Sequence, residues 1–399
     1  MTQDEQESAA RQAVREIVSG NLFRTVVSIL LGFLIGAIFM IVSDEDVLRS
    51  LDPSRFDLLG ALVAALDVVG QGYGALIRGS LFNFEASRVE AMIRPLTETL
   101  RLASPLVLAG LGIALGFRAG LFNIGGTGQL AFGLIWGGFV ATKLSLPFGL
   151  HLIVAVVAAV LGAAAYGALA GYLKARTGAH EVIVTIMLNF IALNLLTWML
   201  REPFLLKEPG ESGNPKSSPA AETSVYPKLL GDEFSLHAGF LVAIAAVFAF
   251  WWLLERSTIG FRLRMVGHNP NAARTAGIRV ERSYVLAMAL SGAFVGLAAA
   301  NQAVGGTTSI IPSTHANIGF DAITVALLGG SSARGVLLAG LLLGAFKAGG
   351  PTMQSVGVSP EVLGIVQGAI VLFIAAPPLI RLIFRLPQPG ESRSKRGEK

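Results

Sequence analysis

The sequence predicts an all-α integral membrane protein with about 8–10 transmembrane helices, some of them broken or re-entrant. Two features of the composition predict this class: 53% of the 399 residues are hydrophobic, and only 14% are charged. A soluble globular chain usually carries about 25% charged residues. Apolar runs of about 18 residues or more recur along the chain, and each could cross a ~30 Å hydrocarbon core as a helix.

The expected organisation is one membrane domain at 25–385, between a short helix at 1–24 and a basic tail at 386–399. The N-terminal helix is predicted to be interfacial, because its apolar side chains fall at helical spacing on one face. The first residues are acidic, unlike a signal peptide, so the first apolar run is expected to stay as an anchor. The expected spans are 25–42, 96–117, 121–142, 148–173, 182–200, 238–254, 283–303, 320–331 together with 335–350, and 361–384. Residues 320–331 are too short to span alone, which indicates a broken or re-entrant helix.

The basic residues of the loops predict the orientation, since short cytoplasmic loops are enriched in arginine and lysine. The loop at 255–282 holds six arginines against two acidic residues, and the C-terminal tail is basic as well. Placing both in the cytoplasm puts both termini inside and the segments 43–95 and 201–237 outside. We expect the 201–237 loop to be either flexible or ordered by contacts. For the apolar stretch 57–77 we predict a helix on the outer face, with a full span as the alternative.

Glycine is unusually frequent, with 47 residues. Small residues let membrane helices approach closely, and the spacing G-x-x-x-G is typical of such contacts. We predict tight packing within the chain rather than a dimer interface. The spacing occurs at Gly32/Gly36, Gly112/Gly116, Gly133/Gly137, Gly167/Gly171, Gly292/Gly296 and Gly340/Gly344.

Several kinds of chemistry are excluded or disfavoured by the residues themselves. The chain has no cysteine, which excludes disulfides and thiolate metal sites. Its five histidines show no metal-ligand spacing, and no G-x-x-x-x-G-K-[ST] phosphate loop occurs. We therefore expect no catalytic residue, metal or cofactor on this chain, and any ATP and Mg²⁺ would be bound by a partner subunit.

Polar side chains within the apolar segments are the candidates for a solute path, because such residues are costly in a membrane. Asn123 and Gln129 stand out, since they flank glycines at a break, and irregular backbone is tolerated only where it is buried or lines a cavity. For every candidate, a hydrogen bond between helices is the alternative. Lys347 is close to a helix end, where it can snorkel, and is left out. The candidates are Asn123, Thr127, Gln129, Asn189, Asn301, Asp321 and Gln367.

The basic loop at 255–282 contains a candidate docking segment, Gly267–Ile278. Asn269 and Pro270 can start a short helix, with proline in its first turn. Small alanines would let that helix approach a groove on a partner, and the alternative is an ordinary basic loop that sets topology. The residues assigned to this coupling contact are Gly267, Asn269, Pro270, Ala272, Ala273, Arg274, Ala276 and Gly277.

At several of these motifs the chain resembles the permease subunits of bacterial ATP-binding-cassette importers for nucleosides and simple sugars, related to ribose and branched-chain amino-acid permeases. The similarity covers roughly residues 94–376 and is carried by GFRAGLFNIGGTGQLAFG (116–133), HEVIVTIMLNFIALNLL (180–196), IGFRLRMVGHNPNAARTAGI (259–278), LSGAFVGLAAA (290–300), GFDAITVALLGGSSARGVLLAGLLLGA (319–345) and VQGAIVLF (366–373).

The resemblance implies a type II-like importer permease in the bacterial cell membrane. Its implied partners are an ATP-binding subunit, a second permease subunit (the same or a related chain) and an extracytoplasmic solute-binding lipoprotein. The segment 267–278 resembles the helix that couples such permeases to the ATPase. The family usually has an acidic residue where this chain has Thr127, so the resemblance supports the transport mechanism better than it supports a particular solute.

The expected solute is a small polar molecule, and a nucleoside is the first choice. A monosaccharide or a branched-chain amino acid is the alternative within the same class. A stand-alone secondary transporter or channel would need ionisable residues in mid-membrane, which this sequence almost lacks.

Overall fold

The structure is a computed structural model that describes residues 21–50, 57–210, 213–315 and 317–376. Within these ranges the regular structure is helical, apart from three isolated β-bridges, and the predicted all-α fold is confirmed. Most of the predicted helix at 1–24 and all of the tail at 386–399 lie outside the described residues. The helices are α1 (Asn21–Ser43), α2 (Glu45–Ser50), α3 (Leu58–Ser80), α4 (Val89–Arg118), α5 (Gly126–Lys143), α6 (Leu150–Thr177), α7 (Glu181–Met199), α8 (Gly239–Arg256), α9 (Thr258–His268), α10 (Pro270–Thr275), α11 (Val280–Ala303), α12 (Ile318–Leu328), α13 (Ala333–Ser355) and α14 (Glu361–Ala375).

Eight of the described helices are long and apolar enough to cross a membrane: α1, α3, α4, α6, α7, α8, α11 and α13. Helix α14 is apolar but has 15 residues, and α12 has 11, so α12 is short as predicted. For the stretch 57–77 the sequence favours a helix on the outer face and leaves a full span as the alternative. Helix α3 has the length and composition of such a span.

The chain forms two compact units. Of the described residues, the smaller one contains those up to Ala75 and those from Gly350 to Ala376. Within it, α1 packs antiparallel to α14, because Gly32 and Gly36 lie against residues of α14 in reverse order along the chain. The hydroxyl of Tyr73 on α3 donates to the carbonyl of Phe33 on α1.

The larger unit, Leu76–Gly349, is built on close contact between α6 and α11. A Cβ atom at Gly167, Gly171, Gly292 or Gly296 would lie under 3.0 Å from atoms of the facing helix. These two G-x-x-x-G pairs therefore let the two backbones approach, as predicted for packing within one chain. Helix α4 lies beside them and packs on α8, α11 and α12, and its side chains are buried from Ala103 to Gly116.

Two interruptions in the larger unit bring helix N-termini together. After α4 the chain turns at Gly120, whose φ of 72° is left-handed, and it resumes as α5 at Gly126. Helix α12 begins after Asn317, which also has a positive φ. The first turns of α5 and α12 meet, since a Cβ atom at Gly319 would lie under 3.0 Å from Thr127.

Candidate functional site

Asn123 holds the irregular segment between α4 and α5. Its Oδ1 accepts from the backbone N–H of Gly125 at 2.8 Å, and its Nδ2 donates to Ser291 Oγ on α11 at 2.8 Å. The same Nδ2 lies 3.3 Å from Gln129 Oε1, and the Ser291 hydroxyl donates to the carbonyl of Gly112 at 2.7 Å. These side chains are buried. They take the place of backbone hydrogen bonds that the chain gives up where it is not helical.

Asn189 on α7 braces the other side of the same segment. Its Oδ1 accepts from the N–H of Gly128 at 2.7 Å, and its Nδ2 donates to the carbonyl of Ile124 at 2.9 Å. One side chain therefore satisfies a donor and an acceptor on either side of the start of α5. We call Asn123, Gln129, Asn189 and Ser291 the amide cluster.

The contact between the first turns of α5 and α12 contains a second group of polar side chains. Thr127 is buried, and its hydroxyl has no hydrogen-bond partner among the described residues. Asp321, in the first turn of α12, forms a 2.8 Å ion pair with the ammonium of Lys347 on α13. The N-termini of two helices carry partial positive charge, so a carboxylate at this point is electrostatically favourable.

Asn301 lies near the C-terminal end of α11, beside the residues that precede α8. Its Nδ2 is buried and has no hydrogen-bond partner in the described part of the chain. The side chains of Asn301 and His237 both lie next to Gly239. A Cβ atom at Gly239 would be 2.5 Å from Asn301 Nδ2 and 2.7 Å from His237 Nδ1. Tyr226 stacks on the His237 ring at 5.6 Å between centroids. Burial, with a smaller effect of the Arg101 charge, lowers the pKa of His237 to about 4, so the imidazole is neutral.

The predicted coupling segment forms α10, a short helix between α9 and α11. The side chain of Asn269 caps it by accepting from the N–H groups of Asn271 and Ala272, and Pro270 occupies the first turn, as the Asn-Pro pair predicted. Gly277, with φ 79°, follows the helix. Asn269, Pro270, Ala272, Arg274, Ala276 and Gly277 are exposed.

The prediction that Ala273 belongs to an exposed small surface is wrong. Its side chain is fully buried between Val266 on α9 and Val280 on α11. It points inward because the short helix must bury one face against its neighbours. Arg274 is exposed, and its guanidinium already bonds Glu281 at 3.0 Å.

The structure brings together some candidates and separates others. Asn123, Gln129 and Asn189 share one cluster, and Thr127 and Asp321 lie at the adjacent helix junction. Asn301 stands apart near the end of α11, and the half-buried Gln367 is on α14 in the smaller unit.

Two participants were not among the sequence candidates. Ser291 is one of several small residues in its span, and nothing in its spacing distinguishes a ligand of Asn123 from a packing residue. The position of Lys347 near a helix end predicts a snorkelling side chain, but its ammonium reaches Asp321, 26 positions earlier in the sequence.

Broken helices whose first turns meet are a recurring feature of membrane transport proteins, and this chain combines them with several spans. The chain belongs to the family of branched-chain amino acid transport system permease components, which it matches over residues 96–375. It is a multi-pass membrane protein and the permease subunit of an ATP-binding-cassette importer.

Relatives from bacteria and an archaeon align over most of the chain. The guanosine ABC transporter permease protein NupP of Bacillus subtilis is 36% identical over 91% of this chain and 95% of its own length. The nucleoside ABC transporter permease protein NupB of Lactococcus lactis is 32% identical over 86% and 96%. The glucose ABC transporter permease protein TsgB13 of Haloferax volcanii is 34% identical over 78% and 85%. No solved structure matches at a significant level.

Proposed function

We propose that this permease carries nucleosides into the cell. The observation that carries this proposal is the near full-length similarity to permeases named for guanosine and for nucleosides. A nucleoside presents hydroxyl groups and base edges that both donate and accept hydrogen bonds. Amide and hydroxyl side chains complement both kinds of group, and most of the polar side chains that the larger unit buries are of these two kinds.

Two of the candidates retain polar atoms that a solute could bond. The Thr127 hydroxyl and the Asn301 Nδ2 are buried without partners among the described residues, and such groups are costly unless something bonds them during function. In the amide cluster, the side chains of Asn123 and Asn189 already form hydrogen bonds with backbone groups of the break. We infer that Thr127 and Asn301 contact the solute, and that the amide cluster lines the path while fixing the shape of the break.

A monosaccharide is the second candidate, because a relative of 34% identity is named for glucose. A sugar shares the ribose hydroxyls of a nucleoside but has no base. Transport assays with both solutes therefore separate the two proposals.

The remaining partners follow from the family as proposals. An ATP-binding subunit would hold ATP and Mg²⁺, dock on the exposed face of α10 and drive the conformational change. A second permease subunit, identical or related, would complete the path, and an extracytoplasmic lipoprotein would deliver the solute. Both termini and the 255–282 loop would face the cytoplasm, as the arginine distribution indicates.

The test measures uptake of labelled guanosine and, in a parallel assay, of labelled glucose by the complete transporter. Thr127→Val and Asn301→Leu are expected to raise the KM about tenfold, the effect of one lost hydrogen bond of about 1.4 kcal/mol. Thr127→Val should leave the melting temperature unchanged or higher, because it removes a buried hydroxyl without a partner.

Asn194→Leu is the matched control, since this amide lies exposed on α7 and, among the described residues, bonds only a carbonyl of its own helix. Unchanged uptake in both Thr127→Val and Asn301→Leu would remove these residues from the path. Uptake of labelled glucose, without transport of guanosine, would assign the monosaccharide instead.

A further inference from the structure

A cavity of about 200 Å³ lies where the ends of α4 and α8 meet the start of α13. Its polar lining includes Arg118, Glu255, Ser332 and Arg334, and its apolar lining includes Trp251 and Leu254. None of the solute-path candidates lines it, so this is a separate site.

The cavity carries an excess of positive charge. Arg118 donates from Nε to the carbonyl of Ser331 at 3.0 Å, and its Nη2 lies 3.7 Å from Glu255. That carboxylate is shared with Arg264, which it meets at 2.7 Å. Arg334 is exposed and forms no hydrogen bond or ion pair with the described residues. The single carboxylate of Glu255 thus pairs with both Arg118 and Arg264, and the guanidinium of Arg334 is left to bind an anion.

The start of α13 adds backbone donors to the same cavity. Ser332 caps this helix by accepting from the N–H of Gly335. The N–H groups of Ala333 and Arg334 lie in the first turn, where an α-helix leaves its amides without acceptors of its own. The partial positive charge of the helix end therefore has the same sign as the two guanidinium groups.

The opposite wall is apolar and continues onto a surface suited to lipid. Trp251 is 46% exposed, and Phe248 and Trp252 are exposed on the same helix, which is long and apolar enough to span a membrane. Arg256 stacks over the Trp251 ring at 5.6 Å, an arrangement in which an aromatic ring and a cation mark the edge of the hydrocarbon region.

We propose that this cavity binds the phosphate of an anionic phospholipid from the cytoplasmic leaflet, with Arg334 and Arg118 contacting the phosphate and Trp251 contacting the first methylenes of an acyl chain. Basic pockets between membrane helices on this side recognise anionic headgroups by the same combination of charge and apolar wall. A free phosphate would gain nothing from Trp251. The assignment to the cytoplasmic leaflet depends on the proposed orientation of the chain. The binding of the lipid itself does not.

The experiment uses the full chain, freed of lipid in neutral detergent and titrated with phosphatidylglycerol or with phosphatidylcholine of the same acyl chains. Bound lipid is counted by native mass spectrometry. Phosphatidylglycerol should bind about tenfold more tightly than phosphatidylcholine, and Arg334→Gln should remove about that factor. Arg334→Lys, which keeps the charge, should retain most of the binding. Arg262→Gln should have no effect, because it makes the same charge change at an exposed residue outside the cavity.

Three results would overturn the proposal. If Arg334→Gln and Arg262→Gln weaken the binding of phosphatidylglycerol equally, the lipid is attracted by the overall positive charge and not by this cavity. Inorganic phosphate binding as tightly as the lipid would assign a soluble anion. Unchanged lipid binding in Arg334→Gln, with loss of ATPase co-purification from the complete transporter, would make the cavity a docking surface for that subunit.

Discussion

Asparagine is the residue that makes the break before α5 possible. A side-chain amide can accept and donate at once, so Asn189 bonds a backbone N–H and a backbone carbonyl on either side of the start of the helix. Leucine at this position would leave both groups buried without partners, at a cost of about 1–3 kcal/mol for each. Glycines in the sequence indicate where the helix breaks, but they do not indicate which distant side chains form hydrogen bonds with the break. Ser291, which Asn123 bonds, is 168 positions away, so this pairing could not be predicted from the sequence.

His237 makes the stability of the chain depend on pH. Burial lowers its pKa from 6.5 to about 4, so the folded chain keeps a neutral imidazole at a pH where the unfolded chain takes up a proton. Stability is therefore full above about pH 6.5 and is lost as the pH falls towards 4. We expect His237→Gln to lose less melting temperature than the wild type between pH 7.5 and pH 5.

His315 provides the comparison for this experiment, because burial lowers its pKa as well. A residual pH dependence in His237→Gln is expected to shrink further in the double variant with His315→Gln. Equal pH dependence in the wild type and in His237→Gln would show that the buried imidazole is not linked to unfolding.

At the scale of elements, the packing of α6 against α11 depends on four glycines. The side-chain hydrogen of each leaves room for the backbone of the other helix, which a methyl group would occupy. The sequence predicted close packing from the G-x-x-x-G spacing. It could not say which pairs face each other, because the spacing is the same in all six.

We expect Gly292→Ala to destabilise the fold by about 1–3 kcal/mol, because the added methyl group would press on the backbone carbonyl of Ala163. Thermal denaturation in detergent measures this loss. Gly70→Ala on α3 is the control, since no atom of the described residues lies within 4 Å of a Cβ at Gly70. Its replacement should be neutral or slightly stabilising. Equal stability of the two variants would mean that α6 and α11 separate at no cost.

The short helix α10 presents an exposed face for the proposed ATPase contact, and burial decides which variant tests it. Ala272→Glu adds a charge to the exposed face, whereas Ala273→Glu would bury a carboxylate without a partner and disrupt the loop itself. We expect Ala272→Glu to fold normally, to lose co-purification of the ATPase and to lose transport.

A second glutamate controls for charge. Thr177 is the exposed last residue of α6, at the end predicted to be cytoplasmic, and Thr177→Glu should leave the complex intact. Normal co-purification and transport by Ala272→Glu would limit the loop to setting topology.

At the scale of the whole molecule, the fold class and most of the spans followed from composition and from runs of apolar residues, which are local properties. Helix α3 is the exception, since it has the length and composition of a span where the sequence favoured an outer-face helix. The start of α5 and the separation of α12 from α13 also followed, because glycines mark both. The ion pair of Lys347 with Asp321 did not follow, since a lysine near a helix end looks the same whether it snorkels or finds a carboxylate. The pairing of distant polar residues depends on tertiary packing, which a single sequence does not display.

The larger unit also connects its proposed coupling segment to the break. Gly267, at the end of α9, lies against the backbone of Arg118 and Gly120, where a Cβ atom would find no room. Three residues further on, Asn123 anchors the break to α11. A displacement of α9 and α10 by a partner would therefore act directly on the turn that leads to the amide cluster.

The orientation of the whole chain can be tested by cysteine labelling, because the sequence contains no cysteine. Thr275→Cys places a thiol on the exposed face of α10, and Asp232→Cys places one at a fully exposed position in the 201–237 segment. If the arginine-rich loop is cytoplasmic, an impermeant maleimide should label Asp232→Cys in intact cells and Thr275→Cys only after the membrane is permeabilised. The cysteine-free wild type gives the background. The reverse pattern would place the loop outside, where no cytoplasmic ATPase could dock on α10, and would end the proposed coupling role while leaving the lipid-binding measurement on purified chain unaffected.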